Sequence, residues 1–180
     1  MSKKIVTTDV PAEPSLDQSS HSLSVFVNNT PGVLMRITQV FARRGFNIDS
    51  LVVSEGRDER FSRMTIGITG SSNGLEQIIK QVSKLIDVIH CIQHEADDSV
   101  VKELVLIKLL IKSTEDRTSA LQIIDHFNGK TVDLTPESII AMISGDSGKL
   151  DAAIKMFGNF EIVETVRTGK VVMARGGATT

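Results

Sequence analysis

The sequence predicts an α+β fold built from two consecutive ferredoxin-like β-α-β-β-α-β units. Three observations carry this. Short segments that alternate apolar and polar residues read as half-buried strands, and they are interleaved with segments whose apolar residues recur three and four apart, as on one face of a helix. The segments follow the order β-α-β-β-α-β, and the second half runs through the same order again. The length of 180 residues suits two small units better than one irregular domain.

The elements follow in order. SLSVFV (22–27) alternates as a strand. Val33, Leu34, Ile37, Val40 and Phe41 fall at helical spacing, and Gly45 stops that helix. Residues 48–54 read as a second strand, EGRDER (55–60) as a charged turn, and MTIGIT (64–69) as the returning strand of a hairpin. Gly74 precedes a second helical stripe of Leu75, Ile78, Ile79, Val82, Leu85 and Ile86, and VIHCIQHE (88–95) closes the unit as a strand. ADDSVV (96–101) is the expected junction. In the second unit, KELVLIKLLIK (102–112) reads as a strand, and EDRTSALQIIDHF (115–127) as a helix closed by Asn128 and Gly129. KTVDLT (130–135) and SIIAMIS (138–144) read as strands on either side of Pro136. A helix over 147–157 carries Leu150, Ile154 and Phe157, and FEIVETVRTGKVVMA (160–174) reads as a closing strand. The implied organisation is a disordered tail over 1–20, a first domain over 21–97, a second over 98–175 and a flexible end over 176–180. Units of about 70–80 residues have marginal cores and one uncovered sheet face each. Packing between units, or homodimerisation, is therefore expected.

Composition narrows the function. The apolar fraction is 41% and the charged fraction 23%, as in soluble globular proteins. Tyr and Trp are absent, so Ile, Val, Leu, Met and Phe must build the core. A net charge of −2 lacks the basic excess that general affinity for nucleic acid or an anionic membrane requires. The single cysteine, Cys91, has no internal disulfide partner, which fits a reduced, cytoplasmic setting. No apolar run approaches the roughly 18–20 residues that span a bilayer, and the first twenty residues lack a signal-peptide core.

The loop after the first strand is the candidate site. Thr30 reads as a helix N-cap with Pro31 at the first helical position. The backbone N–H groups of Gly32, Val33 and Leu34 then point out of the helix start, where the helix dipole favours a carboxylate. Gly32 permits close approach to the backbone. Asn29 before the loop and Asn47 at the start of the next strand offer acceptors for an ammonium group, Asn47 being expected near the first loop. Val33, Leu34, Ile48 and Leu51 would line an apolar pocket. The same residues also read as a well-capped helix with an ordinary stop, and spacing alone leaves both readings open.

NNTPGVLMRITQVFARRGFNIDSLVVS followed by FSRMTIGITG, then QIIKQVSKLIDVI, KELVLIKL, VDLTPES and GDSGKLDA, resembles the regulatory small subunits of acetolactate synthase over nearly all of the chain beyond residue 20. SRMTI and SGKLDA make the resemblance specific; PGVL and RGFNIDSL occur more loosely in many ACT domains, the β-α-β-β-α-β modules that bind small effectors between paired subunits. The resemblance implies that the first unit is an ACT domain and that the chain has no catalytic site of its own. It implies a catalytic large subunit as partner, which this chain activates and makes sensitive to feedback by valine, with leucine or isoleucine as alternative effectors. That partner would hold thiamine diphosphate, Mg²⁺ and FAD and convert two pyruvates to 2-acetolactate and CO₂, in branched-chain amino acid biosynthesis. No cofactor is implied for this chain. The effector-binding positions fall on Asn29, Gly32, Val33, Leu34, Asn47 and Ile48. Family members often carry an acid where Asn28 stands, a departure that bears on effector preference.

Other signals are weaker. His90 and His94 lie four apart on a strand, about 13 Å, too far to share a metal ion. NGKT (128–131) lacks the earlier glycine of a phosphate loop, since position 124 is Ile124. GDSGKLD (145–151) reads as a helix start capped by Asp146 or Ser147. The rival function is a free-standing ACT-type amino-acid sensor. A DNA-reading form would need a basic segment, and the tail offers only Lys3 and Lys4. The role of the second unit stays open between partner contact and effector modulation.

Overall fold

The computed structural model describes residues 19–94, 97–177 and 179–180. The first unit contains β1 (Ser19–Asn28), α1 (Val33–Arg43), β2 (Ile48–Glu55), β3 (Phe61–Gly70), α2 (Ser72–Val82) and β4 (Val88–His94). The second contains β5 (Ser99–Leu110), α3 (Thr114–His126), β6 (Lys130–Leu134), β7 (Ser138–Gly145), α4 (Ser147–Met156) running into a 3₁₀ turn (Phe157–Asn159), β8 (Glu161–Arg167) and β9 (Val171–Ala174). The sheets have strand orders β2-β3-β1-β4 and β6-β7-β5-β8, and β9 pairs with the start of β5. This is the α+β fold with two β-α-β-β-α-β sheets.

Each sheet packs its helices on one face. In the first, Leu23, Val25 and Val27 of β1 and Met64, Ile66 and Ile68 of β3 meet Ile37 and Phe41 of α1 and Leu75, Ile78 and Val82 of α2, all buried. In the second, Val105, Ile107 and Leu109 of β5 and Ile139, Ala141 and Ile143 of β7 meet Ala120 and Ile124 of α3, Leu150 and Ala153 of α4 and Phe157. Period-two burial on the strands and period-3.6 burial on the helices produce these cores. α1 ends where Gly45 turns left-handed at φ 70°, and α3 where Asn128 does so at φ 47°. α2 starts earlier than Gly74, because the Ser71 hydroxyl accepts from the Gly74 N–H. It stops at Val82, so Leu85 packs from a turn and Ile86 lies 93% exposed.

Several boundaries differ from the sequence reading, and β3 begins at Phe61 rather than Met64. β1 begins at Ser19, taking in the last two residues of the expected tail; residues 1–18 lie outside the described residues, as does Ala96 of the expected junction. β5 begins at Ser99 rather than Lys102, because its first four residues pair with β9. The expected continuous strand over 160–174 is two strands separated by Thr168, Gly169 and Lys170. That break has a tertiary cause. Gly169 lies against β2, where a Cβ on it would sit 2.8 Å from Val52 Cγ2 and 3.3 Å from Ser50 Cβ. Lys170 Nζ donates to Ser20 Oγ at 3.1 Å. The 168–170 loop thus reaches the face of the first sheet that the helices leave open, where Ser22, Ser24 and Thr65 are buried. Thr180 also stands within the fold: 3% exposed, its hydroxyl accepts from the Ala174 N–H and its carbonyl lies 3.4 Å from His90 Nε2.

Candidate effector site

The start of α1 differs from the expected cap. Thr30 does not cap the helix; its hydroxyl donates to Asp87 Oδ1 at 3.1 Å, across to the turn before β4. Gly32 occupies the N-cap position at φ 81°, a left-handed conformation that glycine adopts without strain, and no side chain caps the helix. Helical residues begin at Val33, so Pro31 lies in the turn before the helix. The Val33 N–H donates to the Thr30 carbonyl at 3.3 Å. Among the described residues those of Gly32, Leu34 and Met35 have no acceptor, and the first turn contains no acid. The helix start therefore keeps open N–H groups at its positive dipole end, an arrangement that favours an anion. Arg36 closes its flank, paired with Asp87 at 2.6 Å.

Asn29 faces the β2–β3 turn. Its backbone N–H donates to the Arg60 carbonyl at 2.7 Å, and its side-chain NH₂ donates to the Glu59 carbonyl at 3.0 Å and to Glu55 Oε1 at 3.5 Å. That turn is stiffened by Asp58 and Arg60, whose forked pairing holds the Asp58 carboxyl down at about 2. Asn47 is elsewhere. β2 runs parallel to β1, and residue pairing sets Ile48 level with Ile68 and hence with His21, whereas Asn28 is level with Phe61. Seven positions along β3 separate them, about 23 Å. The expectation that Asn47 lies near the first loop fails within one chain, because the helix returns the chain to the end of the sheet where β1 began. Asn47 donates to Asp49 Oδ1 at 3.2 Å, and Asp49 Oδ2 accepts from the Thr69 hydroxyl at 2.8 Å. Gly32, Val33 and Leu34 thus gather with Asn29 at one end, and Asn47 and Ile48 stand at the other.

Two clefts lie elsewhere, and none of the six candidate residues lines either. One, of about 650 Å³, runs between the units and is lined by Asp49, Thr69, Glu103, Arg167 and Lys170 among others. Its far wall is an ion network: the Ser147 hydroxyl donates to Glu103 Oε1, and Arg167 bonds Glu103 Oε2 and Asp151 Oδ1, each at 2.6 Å. The other, of about 480 Å³, opens beside the β2–β3 turn over Phe26, Phe61 and Arg63. His90 stacks on Phe26 with ring centres 5.3 Å apart, and Arg63 lies over the same ring. His94 is half-buried, as is His90, and its Nε2 is buried with no partner among the described residues; desolvation first, and then the Arg63 charge, lower its pKa. Burial pushes the Cys91 thiol up to about 12. Asp146 caps α4, accepting from the Lys149 N–H at 2.8 Å, which lowers its pKa. Among the described residues no group of three or more His, Cys, Asp or Glu is placed to hold a metal ion, and no helix is long and apolar enough to cross a membrane. Sequence reasoning missed Asp49, Thr69, Asp87 and Glu55 as supports of the site. Only Asp49 carried a local signal, two residues beyond Asn47.

The chain matches two family models in succession, an AHAS small subunit-like ACT domain over residues 23–90 and the small subunit of acetolactate synthase over 102–176. It is 39% identical to a probable acetolactate synthase small subunit of Methanothermobacter thermautotrophicus, over 91% of this chain and 98% of that one. It is also 39% identical to the acetolactate synthase small subunit of Mycobacterium leprae, over 87% and 92%. The crystal structure of the acetolactate synthase small subunit from Thermotoga maritima superposes with a TM-score of 0.81 at 34% identity, over 89% of this chain and 99% of that one. The first unit is therefore an ACT domain, and the chain as a whole belongs to the acetolactate synthase small subunit family.

Proposed function

We propose that this chain is the regulatory subunit of a cytoplasmic acetolactate synthase, activating a catalytic large subunit and making it sensitive to valine. The thiamine diphosphate, Mg²⁺ and FAD of the reaction belong to that partner, where the thiamine cofactor supplies the carbanion chemistry that joins two pyruvates. Effector binding falls to the 21–97 domain. The observation that carries this reading is the uncapped start of α1, with three open N–H groups beside Asn29.

One chain supplies two halves of a site at opposite ends of β2, and a second copy unites them. β2 is an edge of its sheet, and an edge strand is a template for pairing. Two β2 strands paired antiparallel about a two-fold axis set the start of one beside the end of the other. Asn47 and Ile48 of one copy then approach the Asn29 loop of its mate, which lies at the Glu55 end of β2. Val53 and Met35, 47% and 65% exposed, supply apolar surface near that seam. The valine carboxylate sits on the Gly32, Leu34 and Met35 N–H groups, its ammonium meets asparagine oxygens, and Val33, Leu34 and Ile48 surround its side chain.

Valine inhibits by population shift. It binds more tightly to the pairing geometry that holds the catalytic subunit in its less active state, and a tenfold effect needs about 1.4 kcal/mol of difference. The test is acetolactate formation by the cognate catalytic subunit, with and without this chain, across a valine titration. Stimulation that valine reverses is expected, and Asn29→Ala is expected to blunt the reversal while keeping stimulation. Equal loss of both would sink the division of roles. Absence of any effect on a competent catalytic subunit would favour a free-standing amino-acid sensor.

A further inference from the structure

We infer that Asp49, held by Thr69, is a positioning residue that turns the amide oxygen of Asn47 toward the effector, so that the site selects an α-ammonium group and rejects the 2-oxo acid of the same carbon skeleton. This rests on the valine-site reading above and deepens it. Residue 49 falls where the β2–β3 register slips between Ile48 and Ser50. A slip of this kind re-aims a side chain, and here Asp49 points back to Asn47 on one oxygen and to Thr69 on the other. Asp49 makes no ion pair among the described residues.

A carboxylate only accepts hydrogen bonds, so it can take only the NH₂ side of the Asn47 amide. The Asn47 oxygen is left outward by chemistry. Asn29 is fixed in the same sense: the Glu59 carbonyl and Glu55 carboxylate occupy its NH₂ side and leave its oxygen outward. The united site thus offers two amide oxygens and, at the start of α1, three N–H donors. An amino acid satisfies both sets. A 2-oxo acid satisfies the N–H groups with its carboxylate, but sets its keto oxygen against acceptor oxygens and leaves them unpaired. Sites built on such polarity discriminate steeply against the analogue that lacks the donor; in this surface-lying site about 100-fold is expected.

The experiment is isothermal titration of the full chain with L-valine and, separately, with 3-methyl-2-oxobutanoate. The variants are Asp49→Leu, Asp49→Asn and Thr69→Val, each checked by circular dichroism. The wild-type chain is expected to prefer valine by about 100-fold. Asp49→Leu frees the Asn47 amide to rotate and is expected to shrink that ratio to tenfold or less. Asp49→Asn can turn its own oxygen to Asn47 and its NH₂ to the Thr69 hydroxyl, so it is expected to restore most of the ratio without the charge. Thr69→Val, which removes the brace from outside the effector surface, should fall between. An unchanged ratio in Asp49→Leu overturns the positioning role while leaving the valine site standing. Asp49→Asn as poor as Asp49→Leu overturns it too, since charge and not orientation would then be responsible. Failure of the wild-type chain to bind valine overturns the site reading and this inference with it.

Discussion

At the start of α1 the chain reaches the helix through left-handed Gly32, with no side-chain cap and no acid in the first turn. At the topologically equivalent start of α3, the Ser113 hydroxyl accepts from the Asp116 N–H, Glu115 and Asp116 stand in the first turn, and Asp116 Oδ2 accepts from the Lys112 N–H. The two units share an element order and differ in what they leave unsatisfied. One helix start fills its own positive end with its own carboxylate; the other leaves it open. Topology is thus shared, whereas what a helix start leaves unsatisfied is a local property of a few residues in the β–α loop. The open face of the first sheet is met by the 168–170 loop of the second unit. The corresponding face of the second sheet carries Leu106, Ile140 and Val166 around a shallow groove.

The strongest test of whether the two units are separate in stability uses one buried ring in each. Phe41→Ala and Phe157→Ala each remove a side chain at most 1% exposed, and a loss of about 3–5 kcal/mol is expected in each case. Denaturant unfolding followed by circular dichroism should show each variant displacing its own part of the curve. A single transition displaced equally by both would mean that the junction fuses the units into one cooperative body. Next, Glu103→Ala removes a carboxylate whose side chain is 5% exposed from between Ser147 and Arg167. Arg167 is 31% exposed and regains some water, so about 2–3 kcal/mol is expected, in the second unit, with salt weakening the difference little.

Met35→Asp sharpens the comparison directly, because Met35 occupies the position in α1 that Asp116 occupies in α3. The added carboxylate should leave stability unchanged or raise it by about 0.3–1 kcal/mol through the helix dipole. Valine affinity should drop at least tenfold by titration, since the site would then hold its own anion. The reverse change, Asp116→Ala, is expected to cost about 1 kcal/mol and to create no valine response. The smallest effect belongs to His94. Its folded pKa lies below its ordinary value, so the unfolded chain binds the proton first. Stability should be full above the ordinary histidine pKa and decline as pH falls from about 6.5 toward the folded value. His94→Gln should flatten that decline in denaturation curves measured across the same range.

Periodicity made most of the fold legible. Of the helical stripe Val33, Leu34, Ile37, Val40 and Phe41, four are buried on one face of α1 and Leu34 is half-buried against the same core, because a core-facing stripe repeats every turn. The sites of failure share a cause. The neighbours of Thr30 predict a cap, but the partner of its hydroxyl is Asp87, 57 residues away. The pattern over 160–174 predicts one continuous strand, but Gly169 answers to Val52 in the other unit. Both are tertiary demands that a local pattern does not contain. Asn47 is a different case, since a β-α-β connection with parallel strands already requires the second strand to start where the first one started. The information was present in the topology, and it separates the two asparagines within one chain.

β5 carries a mechanical consequence. It is one unbroken strand of 12 residues, about 40 Å long. Its first four residues are clasped by β9, and its remainder is the central strand of the second sheet. A strand shared in this way would act as a lever with its fulcrum at the junction if the two pairings tilted against each other. A tilt of about 5° at the Ser99 end swings the far end through about 3 Å, the scale on which subunit contacts are made and broken. Events at β2, where Gly169 rests, would therefore be enlarged with distance along the second sheet.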